Sequence, residues 1–288
     1  MEPSLSDAQE KVLALLPVIP SILSIVSSAL VMRLVWRNHF VETYQRLLFA
    51  MSVCDVICTA NFVIEPFITP HETSRRIWAV GNDSSCLASG FFYQFSSAAA
   101  YYNCMLTVYF VLVIRFNVKE AVIAKWVEPS MHLLSIIYPL VTASVGTARK
   151  VWTEAKFGPG CWVTPESTGC DLMSCCLVYG WLLTATPMFA ALAIVLVNNY
   201  LILNHVKATI DRNNSYGVEG PAETGRREKV QEVAMHCILY VSAFGFCWIW
   251  PTLINLLGVS SSFSVTCCPL IFLTCQSDEG VVSQIIAL

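Results

Sequence analysis

Charge is what this chain has least of. Only 13% of its 288 residues are Asp, Glu, Lys or Arg, against roughly 25% in an average soluble domain. Hydrophobic residues make up 56%, and the mean hydropathy is +0.61. That balance excludes a water-soluble fold. No Lys/Arg-rich run interleaved with aromatics occurs and the net charge is only -3, so nucleic acid is excluded as a partner. The opening MEPSLSDAQEK lacks the basic n-region and small-residue cleavage site of a signal peptide. The first span is therefore expected to stay as a signal anchor. There is no HExxH step and no Gly-x-Ser-x-Gly elbow, which argues against an intramembrane enzyme; no metal or cofactor is expected. The two halves share no repeat, a point against a transporter. No Lys follows Lys229, so the Schiff-base lysine of a retinal protein is missing from the last span.

What is present is a series of long apolar runs. A helix needs about 20 apolar residues to cross the hydrocarbon layer, because it satisfies its backbone groups internally where water cannot. Val12 to Met32, Leu87 to Ile114, Met131 to Ala148 and Leu172 to Asn204 meet that length without a charge. Leu47 to Thr69 is as apolar except for Asp55 and Glu65, and Val233 to Ser277 has room for two helices and a turn. The expectation is an all-α membrane protein, a seven-transmembrane helix bundle with six clear spans and a weak seventh. It divides into an extracellular N-terminus (1–11), the bundle (12–276) and a short tail (277–288). The inner loop 206–231 is the longest, with a flexible middle suggested by its Gly, Asn, Pro and charge.

With these spans, eleven basic residues fall on one side and six on the other, the larger group including Arg33, Arg37, Arg46, Arg115, Lys119 and Lys125. The positive-inside rule then puts the N-terminus outside. Asn82-Asp83-Ser84 becomes an outer glycosylation sequon, and an unused one is an equally good reading. The second outer loop carries KFGPGCWVTPESTGC, which reads as turns and not helix.

Most of the thirteen cysteines are small apolar side chains; Cys54, Cys58, Cys104, Cys237 and Cys247 fall inside spans. Cys86 and Cys161 lie on the oxidising side, and Cys170 competes as the partner of Cys86. Asp55 and Glu65 are the acids at membrane depth, where an ionisable group is costly and points to function. Asp55 is placed about one and a half turns from the inner end; Glu65, before Pro66, is expected to reach the headgroups. Pro251 follows Cys247-Trp248-Ile249-Trp250 and either kinks the sixth span as a switch or marks its outer end beside the aromatic belt. Ser24, Ser27, Ser28 and Ala29, with Ser96 to Ala100, read as close-packing faces. Gln94, Tyr101, Tyr102 and Asn103 serve either helix–helix bonding or a ligand cavity.

The ordered phrases ETYQRLLFAMSVCDV, WAVGNDSSC, GFFYQFSSAAAYYNCMLTVYFVLVIRF, VEPSMH and GCWVTPESTGC resemble the cyclic-AMP-receptor-like G-protein-coupled receptors of protists and fungi, from roughly Leu16 to Asn255. The resemblance implies a Cys86 to Cys161 disulfide followed by Trp162, a second-helix acid at Asp55, and a sixth-helix kink from Trp248 through Pro251. Gln94, Tyr101 and Trp162 become candidate ligand-cavity residues. Arg115 is the nearest match to a G-protein-contacting arginine, although no Asp-Arg-Tyr step is present. The implied partners are an extracellular small-molecule ligand, a heterotrimeric G protein and plasma-membrane lipid. No basic cluster faces the outer cavity, so cyclic AMP itself is not expected. The Ser- and Cys-rich ending departs from the family's seventh helix and is expected to weaken coupling. A small-molecule or ion transporter using Asp55 is the alternative.

Overall fold

The computed structural model describes residue 15 and residues 18–37, 40–70, 78–154, 161–163 and 176–216. Helix α1 is Val18–Arg37, α2 is Thr43–Ile68, α3 is Asp83–Arg115 and α4 is Glu120–Ala148. Helix α5 opens with wide π-type turns at Cys176–Ala185 and continues as Thr186–Tyr216. Each of the five contains a stretch long and apolar enough to cross a membrane. Between α4 and α5 lies a two-stranded antiparallel hairpin, β1 (Trp152–Glu154) and β2 (Cys161–Val163), with Trp152 opposite Val163 and Glu154 opposite Cys161.

The distribution of side chains is that of a protein dissolved in lipid. On α4, Leu133, Leu134, Ile137, Leu140, Val141 and Val145 face outward, while Met131, Ser135, Thr142 and Gly146 are buried. On α1 the buried face carries Ser21, Ser24, Ser27 and Ser28, and the exposed face Ile19, Ile22, Leu23 and Val26. Small hydroxyl residues let backbones approach where lipid gives apolar side chains no reason to hide. Helix α3 is the axis of the bundle, packing on α2, α4 and α5. Its core layer is Ala98, Tyr102, Cys104, Leu106 and Tyr109 against Leu47, Met51, Met131 and Val195.

Several boundaries differ from the sequence reading. Helix α4 starts at Glu120 and not at Met131, so VEPSMH lies within it. Acidic residues are favourable in a first helical turn, where they meet the positive end of the helix dipole, so charge did not mark the boundary. Helix α5 runs on to Tyr216, into the stretch assigned to the inner loop. Because α2 begins at Thr43, Asp55 stands about 18 Å along it at 1.5 Å per residue, much deeper than one and a half turns. Glu65 does not reach for headgroups: it is 2% exposed and points into the bundle. The sixth and seventh spans, Cys170, residues 1–11 and 277–288, and the Trp248, Trp250 and Pro251 switch lie outside the described residues.

Candidate functional site

The end of the bundle where α3 begins is organised by a crosslink. Asn82 caps α3, its Oδ1 accepting from the Ser85 N–H at 3.0 Å while Ser85 Oγ accepts from the Asn82 N–H at 2.8 Å. One turn later Cys86 is joined to Cys161 of β2, with Cα atoms 5.4 Å apart. The hairpin is thereby fixed over α3. Its indoles stack, Trp152 on Trp162 at 5.5 Å, and Trp162 meets Tyr93 of α3 at 4.7 Å. Trp152 is seated between α3 and α4, with Nε1 donating to Thr147 Oγ1 at 3.0 Å. Only glycine fits beneath it. A Cβ at Gly90 would come within 2.4 Å of the Trp152 Cβ, and one at Gly146 within 2.2 Å of its Cζ2.

The chain reaches this seat through the end of α4. Lys150 takes a left-handed φ of 52°, and the Val151 N–H closes back onto the Gly146 carbonyl at 3.1 Å. This is a Schellman ending with a lysine where glycine is usual. It reverses the chain so that Val151 and Trp152 turn inward.

Two acids lie between the helices. Asp55 Oδ2 accepts from Ser24 Oγ at 2.8 Å and Ser28 Oγ at 2.6 Å, both on α1. The serines read as a packing face thus also carry the hydrogen bonds that a carboxylate at this depth needs. Glu65, nearer the hairpin, accepts from Ser89 Oγ of α3 at 3.4 Å, and Ser89 Oγ accepts from Asn61 Nδ2 at 3.4 Å.

The candidate ligand residues divide. Gln94 is buried and its amide is committed on both sides: Nε2 donates to Thr142 Oγ1 at 3.1 Å on α4, and Oε1 accepts from Thr184 Oγ1 at 3.0 Å on α5. It ties three helices together. Tyr101 is half-buried, edge-on to Tyr138 at 5.8 Å. Trp162, on β2, lies against Tyr93 of α3. Arg115 is exposed at the C-terminal end of α3, its guanidinium 5.9 Å from the Phe116 ring.

The end of the bundle away from the hairpin holds a polar group that sequence reasoning missed. Arg46 of α2 grips Glu128 of α4 through Nε and Nη2, a bidentate pair. Thr43 Oγ1 donates to Glu128 Oε2 at 2.9 Å and accepts from Arg46 Nη2 at 3.0 Å. Glu120 accepts from the Thr43 N–H at 2.6 Å and from the Tyr109 hydroxyl of α3 at 2.9 Å. His132 lies 3.6 Å from Glu128 and 3.0 Å from the Tyr102 hydroxyl. The available signal was the pairing of Arg46 with an acid 82 positions away, invisible while Glu128 was assigned to a loop.

Membrane-capable helices around a central α3, with a hairpin stapled over one end, define an all-α membrane protein of the seven-helix bundle class. Among solved structures the chain is similar to squid rhodopsin, with a TM-score of 0.68 and 12% identity over 98% of this chain and 78% of that one. At that identity it is the fold that is shared. No protein-family model matches, and no curated protein is similar in sequence.

Proposed function

We propose that this protein is a G-protein-coupled receptor of the plasma membrane, passing an extracellular signal to a heterotrimeric G protein by helix rearrangement. The observation that carries the reading is the fold likeness to squid rhodopsin along 98% of the chain. Receptors on this architecture act without making or breaking bonds: a ligand bound more tightly by one of two helix arrangements shifts the population towards it. The outer end has a fixed rim at the Cys86–Cys161 staple, and the inner end presents Arg115 to the solvent as the proposed G-protein contact. The narrower kinship, with cyclic-AMP-receptor-like receptors, is supported by the ordered phrases from ETYQRLLFAMSVCDV to GCWVTPESTGC. Asp55 belongs in this reading as a polar hinge point between α1 and α2.

The test needs no ligand. The full chain in lipid nanodiscs is mixed with heterotrimeric G proteins of each main class, and nucleotide exchange is followed. One class should exchange faster than the same G protein with empty nanodiscs, and Arg115→Ala should reduce the difference. Indistinguishable rates for every class would overturn the reading; substrate uptake by proteoliposomes would then favour a transporter.

A further inference from the structure

Three arginines lie near the connection from α1 to α2: Arg33, Arg37 and Arg46. Arg46 is spent on Glu128. Arg33 and Arg37 are exposed, and among the described residues the ion pairs are both made by Glu128, to Arg46 and His132, so neither has an acid partner. They stand one turn apart on one face of α1, an i,i+4 pair whose Cβ atoms lie about 5–6 Å apart. Beside them is an aromatic platform. Trp36 is 65% exposed, yet its ring is set by two others, Phe40 edge-on at 5.6 Å and Phe49 of α2 at 6.2 Å, with Phe40 on Phe49 at 5.0 Å. Phe40 holds a φ of 53°, a left-handed value rare for a bulky residue. Its carbonyl is fixed by Arg46 Nη1, which donates to it at 2.8 Å. The chain thus accepts backbone strain at Phe40 and brings its ring against an indole that the rest of the protein leaves bare.

The same face of α1 continues into apolar side chains. Leu23, Val26 and Leu30 recur at the spacing of three to four residues that leads on to Arg33 and Arg37, and all three are exposed. Charge-free sequence runs from Val12 to Met32 and stops at Arg33. One leaflet of hydrocarbon is about 15 Å thick, or about ten helical residues, so an acyl chain whose head is at Arg33 lies along this track. Two unpaired guanidiniums at headgroup level, an exposed indole and an apolar track leading away are complementary to a net-anionic phospholipid. We propose that the end of α1 away from the hairpin binds such a lipid, with Arg33 and Arg37 forking its phosphate, Trp36 against its glycerol and ester region, and an acyl chain on Leu30, Val26 and Leu23. A zwitterionic head, which brings its own ammonium to two uncompensated cations, is disfavoured. The site requires only that α1 spans a bilayer, in either orientation, and it stands independently of the receptor reading above.

Lipid adducts on the full chain, purified in a mild non-ionic detergent, are counted by native mass spectrometry during titration with phosphatidylglycerol or phosphatidylcholine of the same acyl chains. The first phosphatidylglycerol should bind about tenfold more tightly than the first phosphatidylcholine. Arg33→Gln with Arg37→Gln should abolish that preference and leave the unfolding midpoint unchanged, since neither guanidinium pairs with an acid of the protein. Each single change should lower the preference by about threefold to fivefold and decides the matter if the pair does not fold. Lys125→Gln on α4, which removes an exposed cation 5.2 Å from the Trp126 ring, should leave the preference intact. Glycerol phosphate, the head without its chains, should not displace the lipid at equal concentration; displacement would make this a site for free phosphate and overturn the lipid assignment. Equal binding of the two lipids by the wild type, a preference that survives both arginine changes, or one that Lys125→Gln removes as fully would overturn the proposal.

Discussion

At the scale of single residues, the bundle is held by polar groups that lipid would not tolerate alone. Arg46 and Glu128 join α2 to α4 with two parallel bonds, and Glu128 is 8% exposed. Removing one member of such a pair leaves the other charge without its partner, at a cost of about 2 kcal/mol for a site still partly open to solvent. Arg46→Ala should therefore lower the unfolding midpoint clearly. Arg46→Lys should recover only part of it, because an ammonium cannot match both carboxylate oxygens at once; full recovery would show that charge, and not the planar fork, matters here. Asp55 tests a different point. Its Oδ2 takes both serine hydroxyls of α1, and an asparagine keeps an oxygen in that place. Asp55→Asn should hold the midpoint near wild type while altering nucleotide exchange, whereas Asp55→Leu should cost about 2 kcal/mol by stranding Ser24 and Ser28. A large midpoint fall in Asp55→Asn would mean that the charge itself is structural.

At the scale of elements, the apolar runs made the middles of the helices legible and left their ends obscure. Leu133 to Val145 declares a lipid-facing stripe by its own composition, but Glu120, Lys125 and Glu128 are helical because they sit at an interface where charge is permitted. The disulfide partner was legible only through resemblance; elimination left Cys161 and Cys170 both open. The hairpin was not legible at all as strands, since three-residue strands carry no periodicity. Its support can be read in two glycines instead. Gly146→Ala places a methyl within 2.2 Å of the Trp152 ring and must push the indole from its seat. We expect Gly146→Ala and Trp152→Ala both to lower the midpoint, the latter by about 3–5 kcal/mol as for other buried large-to-small changes. The double variant should be less than additive, because the methyl clashes with nothing once the ring is gone. Strict additivity would show that Gly146 is needed for another reason.

At the scale of the whole molecule, two independent observations support one proposed orientation. The first is charge: Arg33, Arg37, Arg46, Arg115, Lys119 and Lys125 cluster at one end of the described helices, and Arg149 and Lys150 stand at the other. Cytosolic ends keep the greater share of Lys and Arg. The second is redox chemistry: the Cys86–Cys161 bridge lies at the end that carries fewer basic residues, and disulfides persist on the oxidising face of a membrane. In the chain-entropy account, closing a loop over 75 residues stabilises by roughly 4 kcal/mol, so its position is not incidental to folding. We propose on these grounds that α3 enters from the outside, so that α2 ends and α1 begins there, with the N-terminus in the extracellular medium. An epitope appended before Met1 should be reached by antibody on intact cells. One inserted at Asn117, in the turn between α3 and α4, should be reached only after permeabilisation. Asn117 suits insertion because it is exposed and already holds a φ of 51°, a loop conformation that no ladder depends on. Cysteine pairing supplies a check from the other side: a Cys86→Ser, Cys161→Ser double variant should lose the drop in midpoint that a membrane-impermeant reductant causes in the wild type. If the Asn117 epitope were reached first and the impermeant reductant had no effect, both arguments would fail together and the bundle would be inverted.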